Sequence, residues 1–508
     1  MWQPNNLEQE RLDKAQRLVE RGVALFPARV QRTHTNAQAI EQFETVETDD
    51  PEDAQAITVT VCGRVRRVNI KGKVSFMHLE DETARLQLFL RINDLGDEGY
   101  ALIKEKLIDA DDFVQATGTM MRTKTGEISV RASDLQLLGK SFSPLPVIKQ
   151  AAQEDGTVVE YGEFKDIEQR YRQRYADLAV NPRVREVFRQ RARIINAVRR
   201  FFDDEGFLEV ETPILQPLYG GAAARPIVTH HNQLHQDLYL RISFELYLKR
   251  LLVGGYDAVY EIGRDFRNEG VSFKHNPEFT QIEFYKAYID YTGVMDITER
   301  MVACAAETVT GSPIITFKEQ SIDLTPPWSR IRLREAIREV TGIDYMAHRD
   351  ARSLEGAIRD LGDNPQPGQT WGKLIDNLLG KYVEPRLIQP TFVVDYPRDI
   401  SPLAKRVEYD DFHVERFEFF IAGMEMGNAF TELNDPRDQE QRFLEMRELY
   451  DDEDDEATPL DEDYLRAMRY GMPPNGGFGM GLDRLIMLLT DQHTIRDVLL
   501  YPHLRGTE

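Results

Sequence analysis

Short strand-like segments dominate the second half of the chain, and they narrow the choice of fold more than any other feature. Apolar and polar residues alternate at 225–230, 237–243, 258–268, 278–288, 391–395, 415–433 and 477–482. A doubly wound parallel sheet needs a helix after almost every strand, but here the spacing is irregular and few helical segments intervene. The pattern therefore predicts a large antiparallel sheet. A long helix over Val184–Phe202 and a strand ending at Pro213 precede it, and this pair could form a subunit interface.

The first half of the chain predicts a smaller β-structure. Residues 7–25 have helical spacing, with a stop near Gly22 and Pro27. The five segments that follow are short, rich in β-branched residues and separated by turns: 57–68, 74–79, 85–92, 113–120 and 127–131. Five short strands favour an oligonucleotide-binding (OB) barrel, which a helix at Lys104–Asp109 would close.

Composition shifts divide the chain. The turn-rich segment Ser143–Pro146 ends the barrel region, and a basic, helix-prone connector leads into the larger part. We expect a helical extension at 1–55, the barrel at 56–145, a linker at 146–180 and an α+β domain at 181–508. The acidic run Asp451–Glu456 predicts an exposed loop.

The charge distribution restricts the kind of partner. The 508 residues carry a formal charge of −23, which argues against a generic polyanion binder. Residues 57–138 of the barrel region are balanced, with twelve Lys and Arg against twelve Asp and Glu, and the first hairpin, Arg64–Lys73, holds five bases and no acid. Phe76 and Gln87 on neighbouring strands could stack on and read unpaired bases. The alternative is that Phe76 is a core residue and the hairpin is merely solvated.

Cysteine content and the N-terminal residues argue against a disulfide-rich, zinc-binding or secreted protein. Cys62 and Cys304 are far apart and lack the spacing of a zinc site or a disulfide framework. The first residues do not form a secretory signal, and no apolar run approaches the roughly 18 residues of a membrane span. We expect a cytoplasmic protein that is not bound to a membrane.

One predicted strand presents a polar working face. Phe279, Gln281, Glu283 and Tyr285 share one parity, and apolar residues occupy most of the other. The charged segments Arg264–Gly270 and Lys274–Pro277 just upstream suit an arginine that grips phosphate. An ordinary surface loop is the alternative.

A hairpin over 416–432 places two carboxylates among apolar residues. It turns near Ala422–Gly423, which brings Glu418 and Glu425 close together. Buried carboxylates need hydrogen bonds, cations or a metal, and Mg²⁺ prefers oxygen ligands together with substrate phosphates. Glu425 has the opposite parity to Asn428, Phe430 and Glu432, unless a bulge at Gly427 changes the register.

Alternating glycines mark the last strand. Gly476–Gly481 runs into an apolar helix that begins near Arg484, and such glycines let a ligand lie against the backbone. The segment is neither a Walker loop nor a dinucleotide fingerprint. Phosphate binding would then depend on arginines and a metal.

Together these segments resemble one family, the class II lysyl-tRNA synthetases of bacterial type. The resemblance runs from the first helix to Tyr501–Pro502. Glu209–Pro213 looks like motif 1, Phe266–Tyr285 like motif 2 and Gly477–Arg484 like motif 3. The lysine branch is indicated by the segments 220–226, 239–250 and 427–435.

The resemblance implies an OB-fold anticodon-binding domain and a class II catalytic domain whose antiparallel sheet is flanked by helices. It also implies a homodimer, ATP with Mg²⁺, L-lysine and tRNA(Lys). The implied catalytic residues are Arg267 and Arg484. ATP would be bound by Arg267, Glu269, His275, Asn276, Phe279, Glu418, Glu425 and Arg484, with Mg²⁺ on Glu418 and Glu425. Lysine would be bound by Gly221, Glu245, Arg267, Glu283, Tyr285, Asn428, Phe430 and Glu432, and the anticodon by Phe76, Gln87 and Glu127.

The implied reaction joins lysine to ATP as lysyl-adenylate and then transfers lysine to the 3′ end of tRNA. Glu283 and Glu432, with no evident Arg or Lys beside them, suit an ammonium group and would repel an aspartate side chain. Ala422 and Ala429 stand where many bacterial members have glycine, which bears on the fine shape of the pocket and not on the reaction. Two other functions are considered: a paralogue that lysylates a protein, and an RNA-binding protein with a dead catalytic domain.

Overall fold

The structure is a computed structural model that describes residues 2–146, 148–152, 158–162, 164, 166–449 and 459–506. The chain divides into two compact units between residues 165 and 166. The finer division predicted at residues 55, 145 and 180 stays a prediction. The acidic run Asp451–Glu456, predicted as an exposed loop, lies outside the described residues. Among the helices that the structure describes, none combines the length and apolarity that crossing a membrane requires.

Within its described residues, the first unit contains four helices and seven strands. Its helices are α1 (Asn6–Glu20), α2 (Asn36–Asp49), α3 (Pro51–Ala54) and α4 (Ile92–Lys104). Its strands are β1 (Thr58–Lys71), β2 (Val74–Glu80), β3 (Arg85–Arg91), β4 (Phe113–Arg122), β5 (Ile128–Gly139), β6 (Ile148–Ala152) and β7 (Val158–Gly162). The helix predicted at 7–25 is confirmed as α1, which a capping box between Asn5 and Glu8 begins.

Strands β1 to β5 close into the predicted OB barrel. The strand order is β1-β2-β3-β5-β4, with β3 and β5 parallel and the other neighbours antiparallel. Alternate residues point inward and form one apolar core, in which Val61, Met77 and Leu88 are completely buried. The outward-facing residues of β2 and β3 are left to form a surface.

The helix between the third and fourth barrel strands is α4, so the helix predicted at Lys104–Asp109 is wrong. Tyr100 and Ile103 of α4 are buried in the barrel core. This packing places the helix N-terminal to the segment predicted to be helical. Lys106 has a φ of 57°, in the left-handed region that a right-handed helix cannot continue through.

The second unit carries the larger sheet. Its helices are α5 (Ile167–Arg172), α6 (Arg174–Val180), α7 (Pro182–Asp204), α8 (Glu245–Val253), α9 (Tyr291–Thr310), α10 (Leu333–Thr341), α11 (Ala351–Asp360), α12 (Trp371–Leu378), α13 (Pro436–Leu449), α14 (Glu462–Arg469), α15 (Leu482–Leu489) and α16 (Ile495–Val498). Short 3₁₀ segments are Tyr345–Ala347, Glu384–Arg386 and Arg398–Ile400, and Leu379–Val383 is a π turn. Its strands are β8 (Leu208–Glu209), β9 (Leu215–Gln216), β10 (Ile227–His231), β11 (Gln236–Leu240), β12 (Ala258–Phe266), β13 (Glu278–Ala287), β14 (Ile314–Phe317), β15 (Gln320–Asp323), β16 (Ser329–Arg332), β17 (Thr391–Pro397), β18 (His413–Ile421), β19 (Met424–Thr431) and β20 (Asn475–Gly481).

Eight of these strands form one sheet in the order β16-β17-β18-β19-β20-β13-β12-β8. The six central strands are mutually antiparallel, as predicted. The two outermost strands pair in parallel, β8 with β12 and β16 with β17. The short strand β8 follows the long helix α7, as predicted, and lies at the edge of the sheet.

The two faces of this sheet differ in chemistry. Helices α7, α9 and α15 cover one face and pack with Phe202, Phe284 and Phe478 in the largest apolar core. Burying each such ring contributes about 1.5–3 kcal/mol to folding. Because side chains alternate along a strand, the opposite face of the central strands presents polar residues to a cavity.

Candidate active site

Strand β13 forms the floor of the cavity. Gln281, Glu283 and Tyr285 share a face with Phe279, and all four line the cavity, whereas Ile282 and Phe284 enter the apolar core. The predicted working face is therefore confirmed as a structural feature. On one side β13 pairs with β20, so that Glu283 lies opposite Gly479 and no β20 side chain covers it.

The cavity has a volume of about 340 Å³ and gathers most of the predicted site residues of this unit. Thirteen of fifteen line it: Gly221, Glu245, Arg267, Glu269, His275, Asn276, Phe279, Glu283, Tyr285, Glu425, Asn428, Phe430 and Arg484. Glu418 instead lines a neighbouring cavity that Glu425 also borders. Glu432 is fully buried behind the cavity wall, with its Oε1 against Gly477. Ala422 and Ala429 do not line the cavity, and Ala429 packs in the core.

A bulge in the β18–β19 hairpin resolves the parity of Glu425. Glu418 pairs with Asn428 and Phe419 with Gly427, but Phe420 pairs with Glu425, so Met426 is the extra residue. One inserted residue reverses the side on which the following side chains lie. Glu425 therefore shares a face with Glu418 and Asn428, which the sequence allows only if a bulge lies in this region.

Glu418 and Glu425 form a carboxylate pair whose two pKa values are shifted in opposite directions. Burial and the like charge of Glu425 raise the pKa of Glu418 to about 7, although Arg416 and Tyr396 donate hydrogen bonds to Glu418 at 2.6 and 3.0 Å. Burial also acts on Glu425, but the guanidinium of Arg484, 3.3 Å from its Oε2, lowers the pKa of Glu425 below its usual value. A cation between the two carboxylates would offset the mutual repulsion of their charges.

Three more carboxylates cluster at the other end of the cavity. Glu283 accepts hydrogen bonds from Ser243 Oγ at 2.7 Å, Gln281 Nε2 at 2.7 Å and Tyr285 Oη at 3.2 Å. Burial, with the like charge of Glu245, nevertheless raises the pKa of Glu283 to about 7. Burial likewise raises the pKa of Glu432 to about 8, and its Oε1 accepts no hydrogen bond from any described residue.

A lysine stands among these carboxylates, which contradicts the expectation that no basic residue lies beside them. Lys249 is completely buried, donates a hydrogen bond to Glu245 Oε1 at 2.6 Å and forms an ion pair with Glu432. It does not line the cavity. The pocket therefore contains its own cation behind the carboxylates, which leaves their cavity side open to a further positive group.

The opposite end of the cavity is rich in arginine and aromatic groups. The guanidinium of Arg267 lies 5.2 Å from the centre of the Phe279 ring. Arg484 contacts Glu425, and its Nη2 lies 3.4 Å from His275 Nε2. Burial and the charges of Arg484 and Lys274 lower the pKa of His275 to about 4, so this imidazole is neutral at pH 7.

The remaining predicted residues of this region have mixed environments. Asn276 is buried. Its Nδ2 donates a hydrogen bond to the backbone carbonyl of Glu278, and its Oδ1 accepts one from the backbone N–H of His503 at 3.3 Å. Glu269 is exposed at the rim. An arginine-rich end facing a carboxylate-rich end suits one ligand with a polyanionic part and a cationic part.

A separate polar group lies on the outer face of the barrel. Gln87 Nε2 donates to Glu127 Oε2 at 2.6 Å, and Glu127 Oε1 lies 3.2 Å from His78 Nε2. Phe76 is half-buried on the same face, 5.4 Å from the ring of Phe89. The alternative of Phe76 as an inward-facing core residue is therefore wrong.

The basic hairpin beside this group is only partly available to a ligand. Arg64 stacks on Phe113 at 4.4 Å and Arg66 pairs with Glu80 at 3.1 Å. Arg67, Lys71 and Lys73 are exposed. These three cations lie close in sequence to Phe76 and carry the positive charge of this surface.

Sequence reasoning missed three residues of the site. Lys249 follows Glu245 by four positions, which is the spacing of a helical ion pair and could have revealed it. Arg416 alternates with Glu418 on one strand, so strand parity could have placed it at the cavity that it lines. Asp265 is completely buried, and both burial and the charge of Glu283 raise its pKa well above the usual value. No local pattern marks Asp265, because its environment depends on the neighbouring strand.

Comparison with known proteins agrees with this architecture. The family model of class II tRNA synthetases (D, K and N) matches residues 166–505, and that of the OB-fold nucleic acid binding domain matches residues 59–138. An antiparallel sheet with a glycine-lined cavity, preceded by an OB barrel, is thus the architecture of a class II aminoacyl-tRNA synthetase.

Relatives similar over the full length narrow the assignment. The lysine–tRNA ligase of Roseiflexus castenholzii is 51% identical over 507 residues, and the alignment covers 99% of both chains. Those of Roseiflexus sp. (strain RS-1) and Chloroflexus aurantiacus are 50% and 48% identical over 504 residues, covering 99% of this chain and 99% and 98% of theirs. The chain belongs to the lysine–tRNA ligase family.

Proposed function

We propose that the cavity of the second unit activates L-lysine with ATP, and that the lysyl group is then transferred to the 3′ end of tRNA(Lys). The observation that carries this proposal is the cluster of Glu245, Glu283 and Glu432 at one end of a single cavity, opposite Arg267 and Arg484. A substrate with two ammonium groups fits the carboxylate end, and a triphosphate fits the arginine end.

In the first step, a lysine carboxylate oxygen attacks the α-phosphorus of ATP, the bond to the β-phosphate breaks, and pyrophosphate leaves. Both reactants are anions, so alignment and charge neutralisation limit the rate. Arg267 would bridge the carboxylate and the α-phosphate, and Phe279 and Arg484 would enclose the adenine. In the second step the terminal tRNA hydroxyl attacks the activated carbonyl and AMP leaves. We assign neither a protein nucleophile nor a general base.

Glu418 and Glu425 fit a divalent cation. Among the described residues no group of three or more His, Cys, Asp or Glu is placed to hold a metal alone. Two carboxylates facing a cavity would therefore bind Mg²⁺ only together with substrate phosphates, which is the usual arrangement for this ion. Mg²⁺ bound there would neutralise phosphate charge, and Glu269, His275 and Asn276 would complete the nucleotide site.

The amino acid would lie along β13 and β19. Glu245 and Gly221 would take its α-ammonium, and Glu432 its ε-ammonium. Glu283 and Tyr285 of β13, with Asn428 and Phe430 of β19, would form the walls. An aspartate side chain would meet like charge here, which opposes its binding.

The barrel would read the anticodon through Phe76, Gln87 and Glu127. Phe76 offers a ring for base stacking, and the Gln87–Glu127 pair offers a donor and acceptors for base edges. The match of this region to a nucleic-acid-binding barrel favours tRNA over a protein as the acceptor of lysine. The proposed segments 1–55, 56–145, 146–180 and 181–508 separate these tasks.

Exposed aliphatic residues on β8 to β10 favour a homodimer. Leu208 lies on β8 at the edge of the large sheet, and Ile214, Leu215 and Val228 lie on or beside β9 and β10, which pair with β11 in a separate three-stranded sheet. The four side chains are 43–55% exposed. Exposed aliphatic residues of this kind mark a protein interface, and a second copy would pair the same surfaces. We place the enzyme in the cytoplasm because charged tRNA is consumed there.

The deciding experiment is ATP–pyrophosphate exchange with each of the twenty amino acids in turn, without tRNA. Exchange with lysine alone is expected, because the carboxylate end selects ammonium groups. Exchange with aspartate or asparagine would overturn the pocket assignment. A complete lack of exchange would favour a protein with a dead catalytic domain.

A further inference from the structure

Lys249 is the feature of the catalytic unit that the proposed mechanism does not use. It lies one turn into α8, completely buried, with Glu245 at 2.6 Å on its own helix and Glu432 in ion-pair contact from the segment after β19. Its Nζ also lies 5.8 Å from the centre of the Tyr285 ring and 6.0 Å from that of Tyr464. A lysine ammonium is buried this completely only where charged or π partners compensate for its lost hydration.

Charge balance explains why a cation belongs here. Glu245, Glu283 and Glu432 are each at most 4% exposed, and all three cannot ionise together without a compensating charge. Lys249 supplies one positive charge and a lysine substrate brings two ammonium groups. The loaded site would then hold three carboxylates against three ammonium groups.

The geometry places Lys249 behind the pocket rather than in it. Glu245 and Gly477 line the cavity and Lys249 does not. Glu432 contacts Lys249 through Oε2, whereas its Oε1 lies against Gly477 and has no hydrogen-bond partner among the described residues. Glu245 also meets the cavity while bonding Lys249. One ammonium therefore touches the two carboxylates proposed for the two ends of the substrate.

We propose that Lys249 is a positioning residue for lysine selection: its buried ammonium orients Glu245 and Glu432 and favours their ionised forms, so that each carboxylate meets one ammonium group of the substrate. The inference rests on the proposed function of the cavity. Because Lys249 acts through the two glutamates, its removal should affect the binding of lysine and not that of ATP.

The titratable groups that face Lys249 are Glu245 of α8, Tyr285 of β13, Tyr464 of α14 and Glu432 after β19. Arg416 of β18 acts on Glu245, and Glu283 of β13 acts on Glu432. Loss of the Lys249 charge leaves the three carboxylates close together, which favours their protonated forms. The acid limb of kcat/KM for lysine should therefore move to higher pH.

The test is lysine-dependent ATP–pyrophosphate exchange by full-length Lys249→Met across pH 5.5–9. At pH 7 we expect the KM for lysine to rise at least about tenfold, with the KM for ATP within about twofold, because one partner of a buried ion pair is missing. The acid limb should move by about one pH unit. The matched control is Arg250→Met, the next residue of α8, which bonds Asp461 at 2.7 Å and does not line the cavity. It should leave the acid limb in place.

The outcomes separate this inference from the proposed function. Wild-type protein without lysine-dependent exchange would overturn the proposed function. Wild-type exchange with an unmoved acid limb in Lys249→Met, or an equal rise of both KM values, would leave that function intact and overturn the role of Lys249. If Lys249→Met does not fold, Lys249→Arg provides the test. We expect this variant to keep the acid limb of kcat/KM in place and to raise the KM for lysine. A shift of the acid limb or an unchanged KM for lysine would contradict the inference.

Discussion

At the scale of single residues, the carboxylates of the site differ in pKa, and therefore in how readily each one is protonated near neutral pH. Burial raises the pKa of Glu283 to about 7 and that of Glu432 to about 8. At the other end of the cavity, Arg484 lowers the pKa of Glu425. Similar side chains thus differ in charge because their neighbours differ. The free pocket holds protons near neutral pH that a cationic substrate must displace.

This argument predicts how lysine binding depends on pH. An ammonium ligand favours ionised carboxylates, so binding releases protons from Glu283 and Glu432 and weakens as the pH falls through 8 and 7. We expect the KM for lysine to increase about threefold to tenfold between pH 8 and pH 6.5. Exchange kinetics at several pH values measure this. The KM for ATP provides the internal control, and a lysine KM that is flat over this range contradicts the assignment.

Arg267 provides the second residue-scale prediction. Its guanidinium lies in the cavity above Phe279, where the reacting anions would meet. Arg267→Ala should reduce adenylate formation by at least about 10³-fold, since a cationic donor aimed at the transition state is lost.

Single-turnover formation of lysyl-adenylate measures the loss. Arg264→Ala is the matched control: Arg264 lies near the end of β12, three residues before Arg267, is paired with Glu278 at 3.7 Å, and does not line the cavity. Near-normal activity of Arg267→Ala would refute its proposed role.

At the scale of elements, two backbone features shape the cavity. The bulge at Met426 turns Glu425 to the side of Glu418. The alternating glycines of β20 leave the face of β13 uncovered, and Gly477 lets Glu432 and Tyr285 approach the strand. Side chains in place of the glycines of β20 would fill space that the proposed ligand needs.

Gly477→Ala tests this feature of β20. A Cβ at Gly477 would collide with Glu432 Oε1 and the Tyr285 ring. Overpacking at such a site costs about 1–3 kcal/mol, so we expect the KM for lysine to rise about tenfold or more.

Exchange kinetics and thermal denaturation together locate the effect. Gly356→Ala in helix α11 is the control, because a Cβ there meets nothing within 4 Å. An unchanged lysine KM in Gly477→Ala would show that the pocket does not extend to β20.

At the scale of the whole molecule, two units divide the reaction. The cavity and its charged residues belong to the second unit, and the polar group with Phe76 belongs to the first. Amino acid activation needs only the cavity, whereas charging also needs recognition of tRNA. A substitution in the barrel should therefore separate the two partial reactions.

Phe76→Ala tests this separation. We expect the KM for tRNA(Lys) to rise about tenfold, since stacking of one base on an aromatic ring contributes about 1–3 kcal/mol. Lysine-dependent exchange without tRNA should stay unchanged.

Aminoacylation kinetics compare the variant with Phe113→Ala, an exposed phenylalanine of β4 that stacks on Arg64. Equal effects of the two substitutions, or no effect of Phe76→Ala on the tRNA KM, would remove Phe76 from the anticodon surface.

The sequence by itself determined the barrel, the antiparallel sheet and the working face of β13. These features depend on the alternation of side chains along a strand, which is visible in the order of residues. The strand parity of Phe279 to Tyr285 and the turn at Ala422–Gly423 are local properties for the same reason. The three motifs in order indicated the family.

Only the tertiary structure decided how the charges are arranged. The side of Glu425 depends on a bulge, and a bulge is set by the register between two strands. Lys249 becomes a partner of Glu432 only because helix α8 packs behind the sheet, although 183 positions of sequence separate the two residues. The pKa of each carboxylate depends on burial and on neighbours distant in sequence, so these electrostatics arise from packing and are not encoded in any local pattern.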